Sequence, residues 1–483
     1  MEDEYRKVRA KKREDLIMAG VDPYPSSFDR SHALDKAIKL KVGTKKVRLC
    51  GRLMMIRDIG KICFAQVQDE SGRMQIVFNQ NEIDREQYKF FIKNFDLGDF
   101  IGVEGEIFTT KTGEKSLLVK KFEMLAKALL PLPDKWHGIQ DEEEKLRKRY
   151  LDILLNPEVK DLVYKRSMFW QSIREFLLKD GFIEVETPVF ETTPGGADAR
   201  PFITHHNAMD MDVYLRISMG ELWQKRLMVA GLEKVFEIGR QFRNEGMSTE
   251  HLQDYTQMEF YMAYKDFRYG MKMAEKMYKY VIKKTFGTLQ FTIKDHKVDF
   301  SKKWEVYDYR ETVLKMTGID VTQASEKEIE TKLKELKINY DKNGFNITRG
   351  IDNLWKFCRK KITGPGFLIN TPVVLEPLAK RVPDRPDVVE RFQIIIAGSE
   401  IGKGFSELND PIDQAGRFAG QQALRDAGDE EAQFNDTDYV EAMEHGMPPT
   451  FGFGVSERLF AFLMDRPVRE CQIFPLMRPK NKE

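Results

Sequence analysis

Cysteine is scarce in this chain of 483 residues. Cys50, Cys63, Cys358 and Cys471 lie far apart, and no two stand in a CxxC spacing. That spacing argues against a zinc ribbon or a disulfide scaffold, and it suits reduced thiols in a cytosolic protein. Long apolar runs are missing too: no stretch of about 18 apolar residues occurs, which argues against a membrane span. The first residues, MEDEYRKVRAKKRED, lack the apolar core of a secretion signal. Charge of one sign is absent overall, because 78 Lys and Arg nearly cancel 77 Asp and Glu. A nucleic-acid partner would therefore have to be met by local patches. Neither a Walker loop nor a GxGxxG loop is present, and no internal repeat.

The length calls for two or three domains. Residues 6–13, RKVRAKKR, place six bases in one or two helical turns that stop before GVDPYPSSF. The run is either a solvated helix face or a patch that touches phosphates. From Val47 to about Lys127, some five short strands are split by turns with Gly, the pattern of a small β-barrel of the OB type. Within it Phe64, near Gln66 and Gln75, is either a core residue or a platform for a nucleic-acid base. A Pro-bearing, charged stretch follows, LLPLPDKWHGIQDEEEKLRKRY. The remainder mixes strands and helices without βαβ regularity, so an α+β domain on an antiparallel sheet is expected. The expected divisions are a basic helical extension over 1–45, the barrel over 46–128, a linker over 129–145 and the α+β domain over 146–483. A Lys- and Glu-rich helical insertion falls at about 318–365.

One segment of the α+β domain stands out. VFEIGRQF and DYTQMEFY read as strands enclosing a charged loop, FRNEGMSTEHLQ. Period-two alternation puts Tyr255, Gln257, Glu259 and Tyr261 on one face and Thr256, Met258 and Phe260 on the other. The polar face is either wetted or the floor of a site.

Three stretches together resemble class II aminoacyl-tRNA synthetases. The helix ending at Lys179 followed by GFIEVETPVF resembles motif 1 of that family. The FRNE hairpin resembles motif 2, and GFGVSERLFAFL with Arg458 resembles motif 3. PGGADARPFITHHN, SELNDPIDQAGRF and EHGMPPTFGFG are similar to the lysine-specific members, the class IIb lysyl-tRNA synthetases. The likeness runs from GVDPYP to FPLMRP, nearly the whole chain.

The resemblance implies a cytoplasmic enzyme, expected as a homodimer, that joins L-lysine to ATP and passes it to tRNA(Lys). Arg243 would bridge the α-phosphate and the lysine carboxylate, a task suited to a rigid guanidinium. Arg458 and His251 would hold the other phosphates, Glu245 would help place ATP, and Tyr255 would stack on adenine. Glu259, Tyr261 and Glu407 match positions that grip the side-chain ammonium, while Glu221 and Gly196 match those that grip the α-amino group. Magnesium is implied with ATP, and the family binds it with two glutamates seven residues apart. Here Glu400 fills the second place and Gln393 the first. Lys403, counted among the lysine-binding positions, stands where an Asn is usual near the lysine carboxylate; a cation there either favours that carboxylate or, on the same strand parity as Glu407, competes for the ammonium pocket. RISMGELW carries one residue more than usual, and Ser456 lies in a region normally richer in Gly. In the barrel, Phe64, Gln75 and Glu114 match positions that read the anticodon, and the basic helix would add phosphate contacts. His205 and His206 are adjacent on a strand and point oppositely, so they are read as structural rather than as a metal pair.

Three rivals share parts of this pattern. Aspartate- and asparagine-specific relatives share the barrel and catalytic architecture, and binding aspartate would call for an arginine or lysine where this chain has Glu259 and Glu407. A lysine ligase acting on protein would have no use for the barrel. A non-catalytic RNA-binding protein would have no use for Arg243, Glu245, His251 and Arg458.

Overall fold

Alternation along residues 47–126 is converted into a closed barrel of five strands. They are β1 (Val47–Ile59), β2 (Ile62–Gln68), β3 (Arg73–Asn79), β4 (Phe100–Thr109) and β5 (Lys115–Ala126), joined in the order β1-β2-β3-β5-β4. In β2, Cys63, Ala65 and Val67 are buried while Phe64, Gln66 and Gln68 lie partly exposed. Phe64 is therefore on the outer face and is not a core residue. This is a computed structural model; it describes every residue except 1, 134–138, 247, 341–344, 427, 429–431 and 481–483. It divides into two units, Met1–Leu155 and Asn156–Glu483. The division falls ten residues beyond the 145/146 boundary expected from sequence, and part of the expected linker lies outside the described residues.

The basic run sits on helix α1 (Glu2–Met18). Part of it holds the unit together. Arg9 is buried and donates to the carbonyls of Ala128 and Leu130 at 3.2 and 3.0 Å, and Lys12 pairs with Asp96 at 2.7 Å. These two bases are thus not available to phosphates, which narrows the patch expected from sequence. Helix α2 (Arg85–Asn94) closes one end of the barrel core, where Phe78 stacks on Phe91 with centroids 3.9 Å apart. Beneath it lies Lys127, fully buried, donating to the Asn94 carbonyl, Asp96 and Asp99 at 2.7, 2.6 and 2.8 Å.

The second unit opens with α3 (Pro157–Lys179), whose Val159, Leu162, Phe169, Ile173 and Leu177 form a buried stripe at helical spacing. The unit is built on an eight-stranded sheet. Its strands are β6 (Ile183–Glu184), β7 (Lys234–Phe242), β8 (Asp254–Ala263), β9 (Glu305–Asp308), β10 (Gly366–Ile369), β11 (Arg391–Ile396), β12 (Ser399–Ser406) and β13 (Thr450–Ser456), in the order β9-β10-β11-β12-β13-β8-β7-β6. Pairing is antiparallel except at the two edges, β6 with β7 and β9 with β10. Helix α4 (Glu221–Val229) precedes β7, and α5 (Phe267–Phe286) follows β8.

One face of this sheet is dry. Met258, Phe260, Phe392, Phe451 and Phe453 point to it and join Phe169 and Ile173 of α3 and Met273 and Met277 of α5 in a single cluster. The other face carries the remaining parity of the same strands. Between β9 and β10, helices α6 (Tyr309–Thr317), α7 (Glu326–Glu335) and α8 (Ile347–Arg359) enclose a core of their own around Val313, Leu333 and Trp355.

Truncating a buried cation leaves its carboxylates uncompensated, which typically costs several kcal/mol. Lys127→Met should therefore lower the stability of the barrel unit by about 3 kcal/mol, read as a lower urea midpoint for that unit in the full chain. An unchanged midpoint would mean that Asp96 and Asp99 find water or neutral forms at little cost.

Candidate active site

The polar face of the sheet is assembled by register. Glu237 stands opposite Glu259, Gly239 opposite Gln257 and Gln241 opposite Tyr255 across β7 and β8. On the other side of β8, Gln257 meets Ser456, Glu259 meets Gly454 and Tyr261 meets Gly452. Lys403 of β12 then meets Gly454. Glycine at 452 is required by contact: a Cβ there would lie 2.1 Å from Glu407 Oε1 and 2.6 Å from the Tyr261 ring. A cavity of about 350 Å³ opens over this face.

The sequence-derived residues converge on that cavity from separate elements. Tyr255, Glu259 and Tyr261 form its floor, Arg243 and His251 enter from the β7–β8 loop, and Arg458 enters from the start of a short helix, Arg458–Leu463. Glu221 comes from α4, Gly196 from the preceding loop, and Gln393, Glu400, Lys403 and Glu407 from β11, β12 and the turn after it. Gly196 has φ +83°, and a Cβ there would lie 2.7 Å from both Glu221 Cβ and Ser218 Oγ, so glycine lets this loop pass against α4. Glu245 instead lines an adjoining cavity of about 1010 Å³ that shares Asp198, Arg391 and Glu400 with the first. Ser456 accepts from the Arg458 N–H at 3.3 Å.

Phe64, Gln75 and Glu114 belong to the other unit, on the outside of the barrel. Gln66, two residues from Phe64, pairs with Gln75, whose amide donates to Ser116 Oγ at 2.8 Å. Ser116 in turn donates to the Glu114 carbonyl at 3.3 Å, which brings the turn carrying Glu114 beside Gln75. His205 and His206 lie on an exposed four-residue strand, where His205 meets Asp212 at 3.0 Å. They are surface residues with no part in the core.

The deep end of the cavity is acidic. Glu259 accepts from the Met219 N–H at 3.2 Å, from Gln257 Nε2 at 2.5 Å and from the Tyr261 hydroxyl at 3.2 Å. Burial, then the neighbouring Glu221, pushes its carboxyl up to about 7. Glu407 is 1 % exposed, and burial drives it upward against the pull of Lys225. Lys225 was not singled out from sequence. Its ammonium lies 2.6 Å from Glu221 and 2.5 Å from Glu407. Of the two alternatives for Lys403, pairing with Glu407 is not seen. Lys403 turns to Glu376, a buried carboxylate also missed in the sequence, at 3.2 Å, and Arg391 meets the same carboxylate at 3.1 Å.

The outer end is cationic. Arg243 Nε donates to the Ile217 carbonyl at 3.2 Å and its guanidinium lies 5.8 Å from the Tyr255 ring. Arg458 is held by Glu250 at 2.6 Å. Burial would raise the Glu250 carboxyl, but Arg458 and Lys294 together hold the group below its ordinary range. The His251 imidazole is pushed down by desolvation and by Arg458, which favours its neutral form. It lies 2.8 Å from Ser248 Oγ.

Among the described residues no group of three or more His, Cys, Asp or Glu is placed to hold a metal ion. Gln393 already accepts from Arg391, and Glu400 Oε1 accepts from Trp355 Nε1 at 2.6 Å. Glu400 keeps one oxygen, which fits an ion that arrives with most of its ligands on a nucleotide. It does not fit an ion bound by protein alone.

An antiparallel sheet with a hairpin arginine, a second arginine after the last central strand and an acidic pocket between them defines a class II aminoacyl-tRNA synthetase. The family model described as tRNA synthetases class II (D, K and N) matches residues 141–478, and one described as an OB-fold nucleic acid binding domain matches residues 47–125. The chain belongs to this class II family. Among its curated relatives is a lysine–tRNA ligase of Fervidobacterium nodosum, 42% identical over 99% of this chain and 95% of the relative. The lysine–tRNA ligase of Carboxydothermus hydrogenoformans is 42% identical over 99% of both chains, and that of Thermotoga maritima 40% identical over 99% and 97%.

The raised Glu259 carboxyl has a consequence for stability. A folded state that binds a proton more tightly than the unfolded chain is favoured at low pH, and the advantage is lost as pH rises through the folded value. The contribution of Glu259 should therefore decline between its ordinary 4.5 and about 7. Urea midpoints at a pH of about 5.5 and about 8 should show a smaller fall in Glu259→Gln than in the unmodified protein. Equal falls would place the titrating group elsewhere.

Proposed function

We propose that the chain is a lysine–tRNA ligase, which activates L-lysine with ATP and transfers the lysyl group to the 3′ end of tRNA(Lys), releasing AMP and pyrophosphate. The observation that carries the reading is the charge of the deep pocket. Glu221, Glu259 and Glu407 face it with the single ammonium of Lys225 among them. When ionised they leave two negative charges uncompensated, matching the two ammonium groups of free lysine. An aspartate side chain would meet repulsion there.

Chemistry then follows from position. The lysine carboxylate is already ionised at neutral pH, so activation needs no strong base. It needs the carboxylate and the α-phosphate held together against their repulsion, and Arg243 at the neck of the pocket is suited to that. Glu259, Tyr261 and Glu407 take the side-chain ammonium, and Glu221 beside Gly196 takes the α-amino group. Tyr255 supports adenine, Glu245 helps to place the nucleotide, and Arg458 with neutral His251 faces the outer phosphates. Phosphates would displace Glu250 from Arg458. Magnesium brought with ATP would be held by Glu400, with Gln393 a neutral neighbour already engaged by Arg391, and it would neutralise phosphate charge. The outer face of the barrel, with Phe64, Gln75 and Glu114, is suited to reading unstacked anticodon bases. No described helix is long and apolar enough to cross a membrane.

A homodimer completes the proposal. Tyr164 and Leu178 on α3, and Ile183 and Phe190 after it, remain exposed apolar side chains on the motif-1 segment. Light scattering should return twice the chain mass, and a monomer at micromolar concentration would remove this part.

The decisive assay is ATP–pyrophosphate exchange with each amino acid in turn. Exchange with lysine alone is expected, and none with any amino acid would overturn the proposal. Arg243→Ala should abolish exchange while leaving the thermal midpoint unchanged, since the side chain makes no core. Phe64→Ala should weaken tRNA charging by about tenfold or more, as loss of a stacked base does, and leave exchange intact. Equal loss of both would make Phe64 structural.

A further inference from the structure

The proposed reading leaves one charged group of the pocket without a task. Lys225 is 1 % exposed, and such burial is rare for a lysine unless it is paired. It stands one helical turn after Glu221 on α4, and its ammonium bridges Glu221 Oε1 at 2.6 Å and Glu407 Oε2 at 2.5 Å. The rings of Phe405 and Tyr261 lie 5.4 and 5.9 Å from it. Glu259 stands beside Glu221, Tyr439 faces the ammonium from the helix Thr437–Glu444, and Glu376 with its partner Lys403 lies beyond Glu407.

The state of Glu407 is the second observation. Although Lys225 sits against it, neither carboxylate oxygen accepts a well-directed hydrogen bond. Oε1 is buried, unpartnered and turned toward Gly452, on the floor of the cavity. A buried acceptor in that condition waits for a donor.

Resting on the proposal that this pocket binds lysine, we infer that Lys225 is a specificity-determining positioning residue, a built-in counter-ion shared by Glu221 and Glu407 that favours the acceptor form of Glu407 toward the incoming ammonium. Both carboxylates touch one ammonium, so without it they face each other at close range in a dry site. Two carboxylates so placed share a proton. The proton would turn Glu407 from an acceptor for the incoming ammonium into a neutral acid, and the pocket would lose its preference for lysine. Lys225 opposes this and still leaves Oε1 open. It also fills the deep end of the pocket, so the incoming side chain must stop at Oε1.

The test is lysine-dependent pyrophosphate exchange between pH of about 6.5 and about 8.5, with the KM for lysine and for ATP measured separately. In Lys225→Met the lysine KM should rise by about tenfold or more near neutral pH and fall by up to about tenfold per pH unit as the shared proton leaves. The ATP KM should stay within about twofold. The double variant Lys225→Met/Glu221→Gln removes the partner that shares the proton. Its lysine KM stays high because Glu221 is gone, but the steep pH limb should vanish. That contrast guards against reading simple misfolding as support. An unchanged lysine KM and pH profile in Lys225→Met would overturn the inference. So would parallel losses in the lysine and ATP parameters with a lowered thermal midpoint, which would make Lys225 scaffold alone. Absence of lysine-dependent exchange in the unmodified protein would instead bring down the functional proposal, so the two failures are distinguishable.

Discussion

The catalytic unit depends on one electrostatic constraint: carboxylates buried in the middle of a sheet must be compensated where they stand. Burying an unpaired charge costs far more than any single packing contact returns. The sheet meets the constraint residue by residue. Arg216 lies 2.6 Å from Glu237, Lys225 bridges Glu221 and Glu407, and Arg391 with Lys403 covers Glu376. Glu259 is compensated by hydrogen bonds, from a backbone N–H, an amide and a phenol. It is therefore the group whose charge a ligand can still change.

Such a polar face can sit inside a sheet because the opposite face carries the cohesion. Alternate residues of β8, β11 and β13 are Phe, Met, Ile or Val directed into one cluster with α3 and α5. Each strand thus supplies packing with one parity and chemistry with the other. A one-residue slip of register would bury the carboxylates among phenylalanines and lift the phenylalanines into the cavity, so the core and the site fix the same register. Gly452 serves both, standing between two core phenylalanines and leaving room for Glu407 above.

Much of this was legible in the residues. Period-two alternation in DYTQMEFY separated floor from core, the short strands after Val47 announced a barrel, and the apolar stripe of α3 marked the first helix of the second unit. What escaped depends on long-range contact. Lys225 was not singled out, because as the i+4 neighbour of Glu221 on a helix it carries no local sign that β8 and the segment after β12 will cover it. Glu376 lies in an irregular stretch with no periodicity, so its hold on Lys403 could not be foreseen, and strand parity alone pointed Lys403 at Glu407. Arg9 was hidden in the same way within a run of bases. Charge runs tell where cations are, not which of them have already found carbonyls or carboxylates.

The distribution of cations also bears on how a nearly neutral chain can gather polyanions. Arg458, assigned to phosphates in the proposed reading, is paired with Glu250 in the free protein, and Arg391 and Lys403 are tied to Glu376. A site that kept all of these cations bare would hold phosphates strongly whatever else was bound. With internal carboxylates as partners, the gain on binding is the difference between two ion pairs rather than a whole one. Glu250 and Glu376 differ in this respect. Glu250 sits on the loop between β7 and β8 and its pair with Arg458 is partly exposed, whereas Glu376 is buried, so under the proposed reading the first pair can exchange partners with a nucleotide and the second stays fixed. Ion pairs at the outer end of the site can thus change partners, whereas those that Lys225 makes in the deep end are preset.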